Sequence, residues 1–245
     1  MAQDPTPPLT PERLQALSSI PFEAAPSPGY IVHMGRLEEN CQLLRSVAKQ
    51  SGAKILAALK AFSMFELAPL YQKTLWGTCS SGLHEALLAN EYYPGEVHVF
   101  SAAYTEADLT EILKIADHVV FNSCSQWLRF KNLCVRAKEQ RPGLSFGLRI
   151  NPEHSEGDVP LYDPCAPGSR LGIPRSQLTE QALDGISGLH FHTLCEHPFE
   201  PLARTVAAVE ARFGDLLPQM DWVNFGGGHH ITTQDYDRTG LVELV

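Results

Sequence analysis

The sequence has no long apolar run and few positive charges. None of its 245 residues lies in a stretch near the roughly 18 apolar residues that a membrane span requires, so no membrane partner is expected. The first eight residues have neither the basic patch nor the apolar core of a signal peptide. Lys and Arg number 19 against 28 Asp and Glu, a formal charge of −9. A chain with this negative charge is unlike a nucleic-acid-binding protein, which needs a basic surface, and is better suited to bind a cationic small molecule.

The cysteines also lack the spacing of a disulfide framework or a zinc site. The six residues are Cys41, Cys79, Cys124, Cys134, Cys165 and Cys195, and no two form a Cys-x-x-Cys pair. Several fall inside strand-like or helix-like runs. This distribution predicts free thiols in a reducing compartment, and therefore a cytoplasmic protein.

What the sequence does contain is an alternation of short buried strands and helices. Strand-like runs occupy residues 54–60, 76–80, 97–101, 118–122, 144–151, 186–192 and 222–225. The clearest helical pattern places apolar side chains four, three, four and three residues apart, at Leu202, Val206, Val209, Phe213 and Leu216. Repeated βα units of this kind predict an α/β fold with a parallel sheet.

Polar and glycine residues stand where these strands end. The set comprises Lys60, Ser80, Ser81, Ser101, Asn122, Arg149, Asn151, His192 and Gly226–Gly228. In a (β/α)₈ barrel such ends converge on one opening, where barrel enzymes keep their active sites, whereas in a doubly wound sheet they spread along an edge. The pattern favours the barrel. Only about seven strands can be counted, so we expect a barrel that lacks its last strand.

Four of these positions suggest one chemistry when they are taken together. A lysine such as Lys60 can form a Schiff base with an aldehyde once its amine is free. An imidazole such as His192 can stack on an aromatic ring, and the glycines 226–228 let backbone N–H groups approach a phosphate. A strand arginine, Arg149, needs an anionic or aromatic partner. The combination predicts a pocket for pyridoxal 5′-phosphate (PLP).

The histidines allow a second interpretation. His190 and His192 share one strand face by the period of two, and His229 and His230 follow the last strand. These four histidines could be the metal ligands of a metal-dependent barrel hydrolase. The acidic ligands that such a site needs are scarce at the strand ends, so we predict no metal.

A polar insertion of about twenty residues follows the strand that carries Arg149. It runs from Pro152 to Arg170 and is acidic, with candidate substrate-binding residues Glu153, Glu156 and Asp158. Long loops inside a compact domain are commonly lids or binding loops. A solvated surface excursion is the equally simple alternative.

Several longer stretches make the chain similar to a known family. They are residues 58–62, 96–104, 120–123, 146–156, 161–173, 188–196 and 224–230. In these motifs the chain resembles the fold-type III PLP-dependent decarboxylases, the group that includes alanine racemase and the ornithine and diaminopimelate decarboxylases. Within the group it is most similar to the branch that decarboxylates carboxynorspermidine and carboxyspermidine in polyamine biosynthesis.

The resemblance implies a role for each site residue. Lys60 is expected to carry PLP, and His192 to stack on its ring and take part in catalysis. Arg149 matches the strand arginine near the ring oxygen, and Gly226, Gly227 and Gly228 match the phosphate-binding glycines. The family has an alanine racemase-like (β/α)₈ barrel followed by a β-domain and works as a head-to-tail homodimer. A single-domain PLP-homeostasis protein is the nearest alternative function.

The resemblance also implies how the chain is organised. Residues 1–34 are expected to form an N-terminal segment whose strand at 29–33 joins the β-domain, and residues 35–245 an incomplete PLP-binding barrel. Cys195 replaces a serine that some relatives place near the phosphate, and Thr78 stands where ornithine decarboxylases have an aspartate. The family's pyridine-nitrogen glutamate and its partner-supplied residues would follow Val245. We therefore expect this chain alone to be inactive as a decarboxylase.

Overall fold

The structure, a computed structural model, describes Pro11, Gln15, Ser18 and residues 20–157 and 159–245. The chain divides into two compact units, Met1–Leu37 and Glu38–Val245. The pair Thr10-Pro11 predicts the start of a short helix, and Thr10 lies outside the described residues. Residues 29–33, predicted as a strand that joins a β-domain, form no strand among the described residues, and their place in a β-domain stays a prediction. A strand requires the backbone groups of a neighbour, and the described part of this unit offers none.

Helices and parallel strands alternate along the chain from Met34 onward. The helices are α1 (Met34–Ser51), α2 (Ala68–Thr74), α3 (Leu83–Tyr92), α4 (Glu106–Ile115), α5 (Cys124–Gln140), α6 (Glu180–Leu183), α7 (Phe199–Phe213) and α8 (Arg238–Leu244). The strands are β1 (Leu56–Ala58), β2 (Gly77–Ser80), β3 (Glu96–Phe100), β4 (His118–Phe121), β5 (Ser145–Asn151), β6 (Ile173–Pro174), β7 (Gly188–His190) and β8 (Trp222–Asn224). All seven strand-like runs from residue 54 onward are therefore strands, though most are shorter than predicted.

The strands form one curved parallel sheet in the order β1-β2-β3-β4-β5-β7-β8. The two-residue strand β6 pairs with the end of β5, outside this path. Every pairing is parallel and joins successive βα units. The prediction of an incomplete barrel-type sheet with about seven strands is confirmed. All carboxyl ends lie along the same edge of the sheet, so the residues that follow them are brought together.

The two faces of the sheet differ in how deeply their side chains are buried. Val97 and Val99 of β3 are buried, whereas Glu96, His98 and Phe100 of the same strand are half-buried on the opposite face. The inner face also carries Trp222, whose indole occupies the space beside two glycines, Gly147 and Gly188, where a side chain would collide with it. The largest fully buried side chains include Phe121, Trp127, Phe146, Leu109 and Ile112.

Two further expectations concern the chain as a whole. All six cysteines are free thiols, as predicted. Among the helices that the structure describes, none is both long and apolar enough to cross a membrane.

Candidate active site at the carboxyl ends of the strands

Lys60 lies on the turn that follows β1. Its neighbours Ala61 and Phe62 both donate backbone hydrogen bonds to the carbonyl of Ala58, at 3.0 and 3.2 Å, which closes the turn. The side chain is exposed, and its amine has no hydrogen-bond or ion-pair partner among the described residues. A rigid turn thus presents an accessible amine at the carboxyl edge of the sheet.

His192 lies two residues beyond the end of β7 and has a fixed orientation. The backbone N–H of Gly227 donates a 3.0 Å hydrogen bond to its Nδ1 atom. Burial, followed by the positive charges of Lys60 and Arg149, lowers the pKa of His192 to about 4. The ring is therefore neutral near pH 7, and because Nδ1 accepts a hydrogen bond, its proton is on Nε2. The Lys60 charge contributes to this lowered pKa, and both residues follow the carboxyl ends of strands of the same sheet.

Arg149 supports the segment that carries His192. It is 4% exposed, and its Nη2 atom donates a 2.7 Å hydrogen bond to the His192 carbonyl. The guanidinium carbon lies 4.9 Å from the centre of the Phe100 ring. Burial lowers the pKa of Arg149 to about 10, so it remains charged at neutral pH. The expected aromatic partner of this strand arginine is thus Phe100.

The glycines after β8 are required by a close approach of two backbone segments. Gly226 and Gly228 have φ angles of 71° and 87°, a region that favours glycine. A Cβ atom on Gly226 would lie 2.5 Å from the Phe191 carbonyl oxygen, and one on Gly228 would overlap the carbonyl of Leu194. At Gly227 an added Cβ would meet only His192 Cε1, at 3.9 Å. The loop therefore packs tightly at its two ends and is open at its centre.

Two backbone N–H groups of this loop already have acceptors in the protein. Gly226 donates to Asn224 Oδ1 at 2.7 Å, and Gly227 donates to His192 Nδ1. Sequence reasoning did not find Asn224, although an amide just before a glycine run is a common way to fix a turn. It also missed Thr193, whose hydroxyl is buried without a hydrogen-bond partner in the described structure.

The residues at this edge of the sheet fit a PLP group. An accessible amine, a neutral oriented imidazole and a buried cation lie at the same opening. The hydroxyl oxygens of Ser80, the last residue of β2, and of Thr193, just beyond β7, are buried without partners in the described part of the chain, and unpaired buried hydroxyls are ready to hydrogen-bond a phosphate or a ring substituent. The donor set thus matches an aldehyde with an anionic group.

The acidic loop has partners of its own. Arg204 of α7 holds the Glu156 carboxylate through two hydrogen bonds of 2.8 and 2.7 Å, and His154 Nε2 lies 2.6 Å from the same carboxylate. The Arg204 hydrogen bonds lower the pKa of Glu156. Glu153 lies 3.8 Å from Arg212, and Asp158 is outside the described residues. Glu156 therefore fastens the loop to a helix, which its sequence position did not reveal.

We expect loss of the Glu156–Arg204 pair to loosen this loop. Arg204→Met should increase the rate of proteolytic cleavage within residues 152–170, because a bidentate pair restrains the chain more than a single contact does. Arg212→Met is the matched control, since its 3.8 Å contact with Glu153 is long and exposed and such pairs contribute little. Because the folded pKa of Glu156 is lowered, the restraint is complete at neutral pH and is lost as the pH falls through that pKa. Equal cleavage of both variants would contradict the prediction.

The four histidines of the metal-hydrolase alternative do not form a metal cluster in the described structure. The Nδ1 atoms of His190, His192 and His229 meet the Asn224 carbonyl, the Gly227 N–H and the Tyr236 hydroxyl. Within the described ranges the only group of ligands with metal-like spacing lies elsewhere, at the amino-terminal ends of β3 and β4. The site at the carboxyl edge therefore favours the PLP interpretation.

The fold is shared with a known enzyme barrel. Diaminopimelate decarboxylase from Helicobacter pylori superposes with a TM-score of 0.67 over 94% of this chain and 61% of that one at 15% identity. At that identity the likeness shows the fold alone. No family model matches the sequence.

Other known proteins are more similar to this chain in sequence. The chain is 41% identical over 223 residues to the carboxynorspermidine/carboxyspermidine decarboxylase of Campylobacter jejuni, covering 91% of this chain and 56% of the relative. It is 38% identical over 228 residues to the carboxyaminopropylagmatine decarboxylase of Synechocystis, covering 91% and 57%. The crystal structure of the Campylobacter jejuni carboxynorspermidine decarboxylase with norspermidine has a TM-score of 0.80 at 39% identity, over 90% of this chain and 55% of that one.

These likenesses confirm the family resemblance read from the motifs. The chain is similar in sequence to the carboxynorspermidine/carboxyspermidine decarboxylases over about nine tenths of its length. It spans little more than half the length of these curated relatives.

Proposed function

We propose that this chain supplies the PLP-binding barrel of a decarboxylase that acts on a carboxylated polyamine. The main support is the convergence of Lys60, His192 and the glycines 226–228 on one edge of the sheet. The Gly227 N–H fixes the His192 ring, and the Lys60 charge acts on that ring. Homology to decarboxylases of the same substrate class supports the assignment independently.

Each residue has a distinct task in this proposal. PLP, when bound, supplies an aldehyde that captures amines and a ring that accepts the electron pair left by departing CO₂. Lys60 provides the amine that holds the cofactor and gives it up to the substrate. His192 offers a flat, neutral face for stacking, and so adds no charge to the ring. Arg149 positions His192 through its carbonyl, and the hydroxyl of Thr193 and the open centre of the glycine loop receive the phosphate.

The substrate proposed is a small cation that carries a carboxylate. The names of the relatives include carboxynorspermidine, carboxyspermidine and carboxyaminopropylagmatine, which share a carboxylate and several nitrogen cations. The net charge of −9 favours such molecules. Glu153, Glu156 and Asp158 are our proposed substrate-binding residues. For Glu156 this requires that the substrate amine share the carboxylate with Arg204.

We also propose that the active protein is a cytoplasmic homodimer. Free thiols throughout the chain are consistent with a reducing compartment. The dimer follows from the family resemblance. Its test is the mass of the protein in solution, measured with and without PLP.

The proposed activity can be tested with the protein expressed from its natural reading frame. We expect a visible Schiff-base absorbance after PLP is added, and release of CO₂ from at least one of carboxynorspermidine, carboxyspermidine and carboxyaminopropylagmatine. The ranking of the three by kcat/KM identifies the substrate. PLP binding without CO₂ release from any of them would point instead to a PLP-homeostasis protein, and absence of PLP binding would refute the proposal.

A further inference from the structure

A second group of ionisable side chains lies at the opposite end of the sheet from Lys60. Glu96 and His118 are the first residues of β3 and β4, and His98 stands two residues after Glu96. His98 and His118 are register partners across the two strands, and their rings stack with centres 4.0 Å apart. Alternation along β3 puts Glu96 on the same face as His98. The three side chains therefore meet on the inner face of the sheet.

Their ligand atoms lie close enough together to hold a metal ion. His98 Nε2 lies 2.8 Å and His118 Nδ1 3.9 Å from the Oε2 atom of Glu96, and the three ligand atoms are all within 4.8 Å of one another. The 3.9 Å separation is too long for a hydrogen bond. His118 Nδ1 is buried and has no hydrogen-bond partner among the described residues, which is costly for a polar atom.

A metal ion can bind these three residues once the two rings turn out of their stack, because the lone pair of each imidazole nitrogen lies in its own ring plane. Zinc binds imidazole nitrogen and carboxylate oxygen at about 2.0–2.2 Å in a tetrahedron, so two of its ligand atoms lie about 3.3–3.6 Å apart. We propose that Glu96, His98 and His118 bind a first-row divalent metal ion, with zinc the best match to two imidazoles and one carboxylate. The ion replaces the His98–Glu96 hydrogen bond and widens that contact by about 0.5 Å. It gives His118 Nδ1 the partner that it lacks.

Lys54 competes with the ion for Glu96. Its Nζ atom donates a 2.6 Å hydrogen bond to the other carboxylate oxygen, Oε1, and lies 4.8 Å from the centre of the Trp76 ring. This contact leaves Oε2 directed at the two histidines. It also places a positive charge beside the metal position, which weakens the binding of any cation. Removal of the Lys54 charge should therefore strengthen metal binding.

The neighbours of the site show what a bound ion would do. Its ligands come from two adjacent strands, so the ion links the beginning of β3 to that of β4. The Trp222 ring of β8 meets the His118 ring edge-on at 5.2 Å and donates a 2.8 Å hydrogen bond to Ser145 of β5. Ordering of His118 would therefore extend to the centre of the sheet, and the ion should stabilise the fold rather than take part in the chemistry at the other end.

The experiment is a titration of the metal-free protein with Co²⁺ and Zn²⁺ alone, with no PLP. We expect one equivalent of Co²⁺ to give a visible d–d absorption band that Zn²⁺ removes. His118→Ala and His98→Ala should each weaken Zn²⁺ binding roughly tenfold or more, since loss of even an outer-shell partner costs a metal site 10- to 100-fold. His84→Ala, at an exposed position on α3, is the control and should bind like the unaltered protein.

Lys54→Met separates a true site from a damaged fold. We expect this variant to bind Zn²⁺ several-fold more tightly, and a gain in affinity cannot result from misfolding. Zn²⁺ should also raise the melting temperature of the unaltered protein and not that of His118→Ala. The proposal is overturned if no stoichiometric binding occurs, if His118→Ala binds as tightly as the unaltered protein, or if Lys54→Met leaves the affinity unchanged. None of these outcomes depends on PLP or on decarboxylation.

Discussion

Lys60→Ala is expected to abolish the covalent attachment of PLP. Lys60 is the exposed lysine on the turn after β1, and its charge acts on His192 across the opening. The alanine side chain has no amine, so residue 60 can no longer form a Schiff base with the aldehyde. The Schiff-base absorbance should disappear, and where the protein decarboxylates a substrate the rate should fall on the order of a thousandfold or more, as for other covalent catalysts.

The measurement is borohydride reduction of the PLP-loaded protein followed by peptide mapping. The pyridoxyl group should be on Lys60. Lys73→Ala, an exposed lysine on α2, is the matched control and should be labelled as fully as the unaltered protein. Recovery of the label on Lys54 or Lys73, or undiminished labelling of Lys60→Ala, would remove Lys60 from the site.

The order of the elements could be predicted from the sequence because it depends on local periodicity. Alternating apolar runs and helical spacings need only neighbouring residues, so seven strands of the sheet and the helix at 199–213 were found. Their ends were less certain. The run at 186–192 forms a strand only over Gly188–His190, because strand length is set by pairing with β5 and β8. Residues 29–33 likewise form no strand among the described residues, since a strand-like pattern does not supply the neighbour that a strand needs.

In the candidate site, the positions of residues could be predicted from local sequence, whereas their interaction partners could not. The positions of Lys60 and His192 after strands followed from the pattern alone. The carbonyl that Arg149 binds is 43 residues away in the sequence, and the arginine that pairs with Glu156 is 48 residues away. Neither partner could be read from spacing. A residue type suggests that a partner is needed, but only the fold says which one it is.

Gly228→Ala is expected to unfold the loop after β8, whereas Gly227→Ala is expected to leave the fold intact. The Cβ atom at Gly228 would overlap the carbonyl of Leu194, and the φ angle of 87° is unfavourable for alanine. Together these effects should cost about 2–4 kcal/mol of the free energy of unfolding. At Gly227 the φ angle is not positive and the nearest atom to an added Cβ is His192 Cε1, at 3.9 Å, so the change in stability should be within about 0.5 kcal/mol.

The same pair of variants tests whether the loop holds the cofactor. The methyl group of Gly227→Ala would stand beside the His192 ring, in the space where we propose that PLP binds. Its PLP dissociation constant should therefore rise roughly tenfold, about 1.4 kcal/mol, although its urea denaturation midpoint is unchanged. The backbone N–H of residue 227 survives the substitution, so the hydrogen bond to His192 Nδ1 is kept and the loss reflects the occupied space. If Gly227→Ala binds PLP like the unaltered protein, the centre of the loop does not face the cofactor and its glycines serve only the backbone packing.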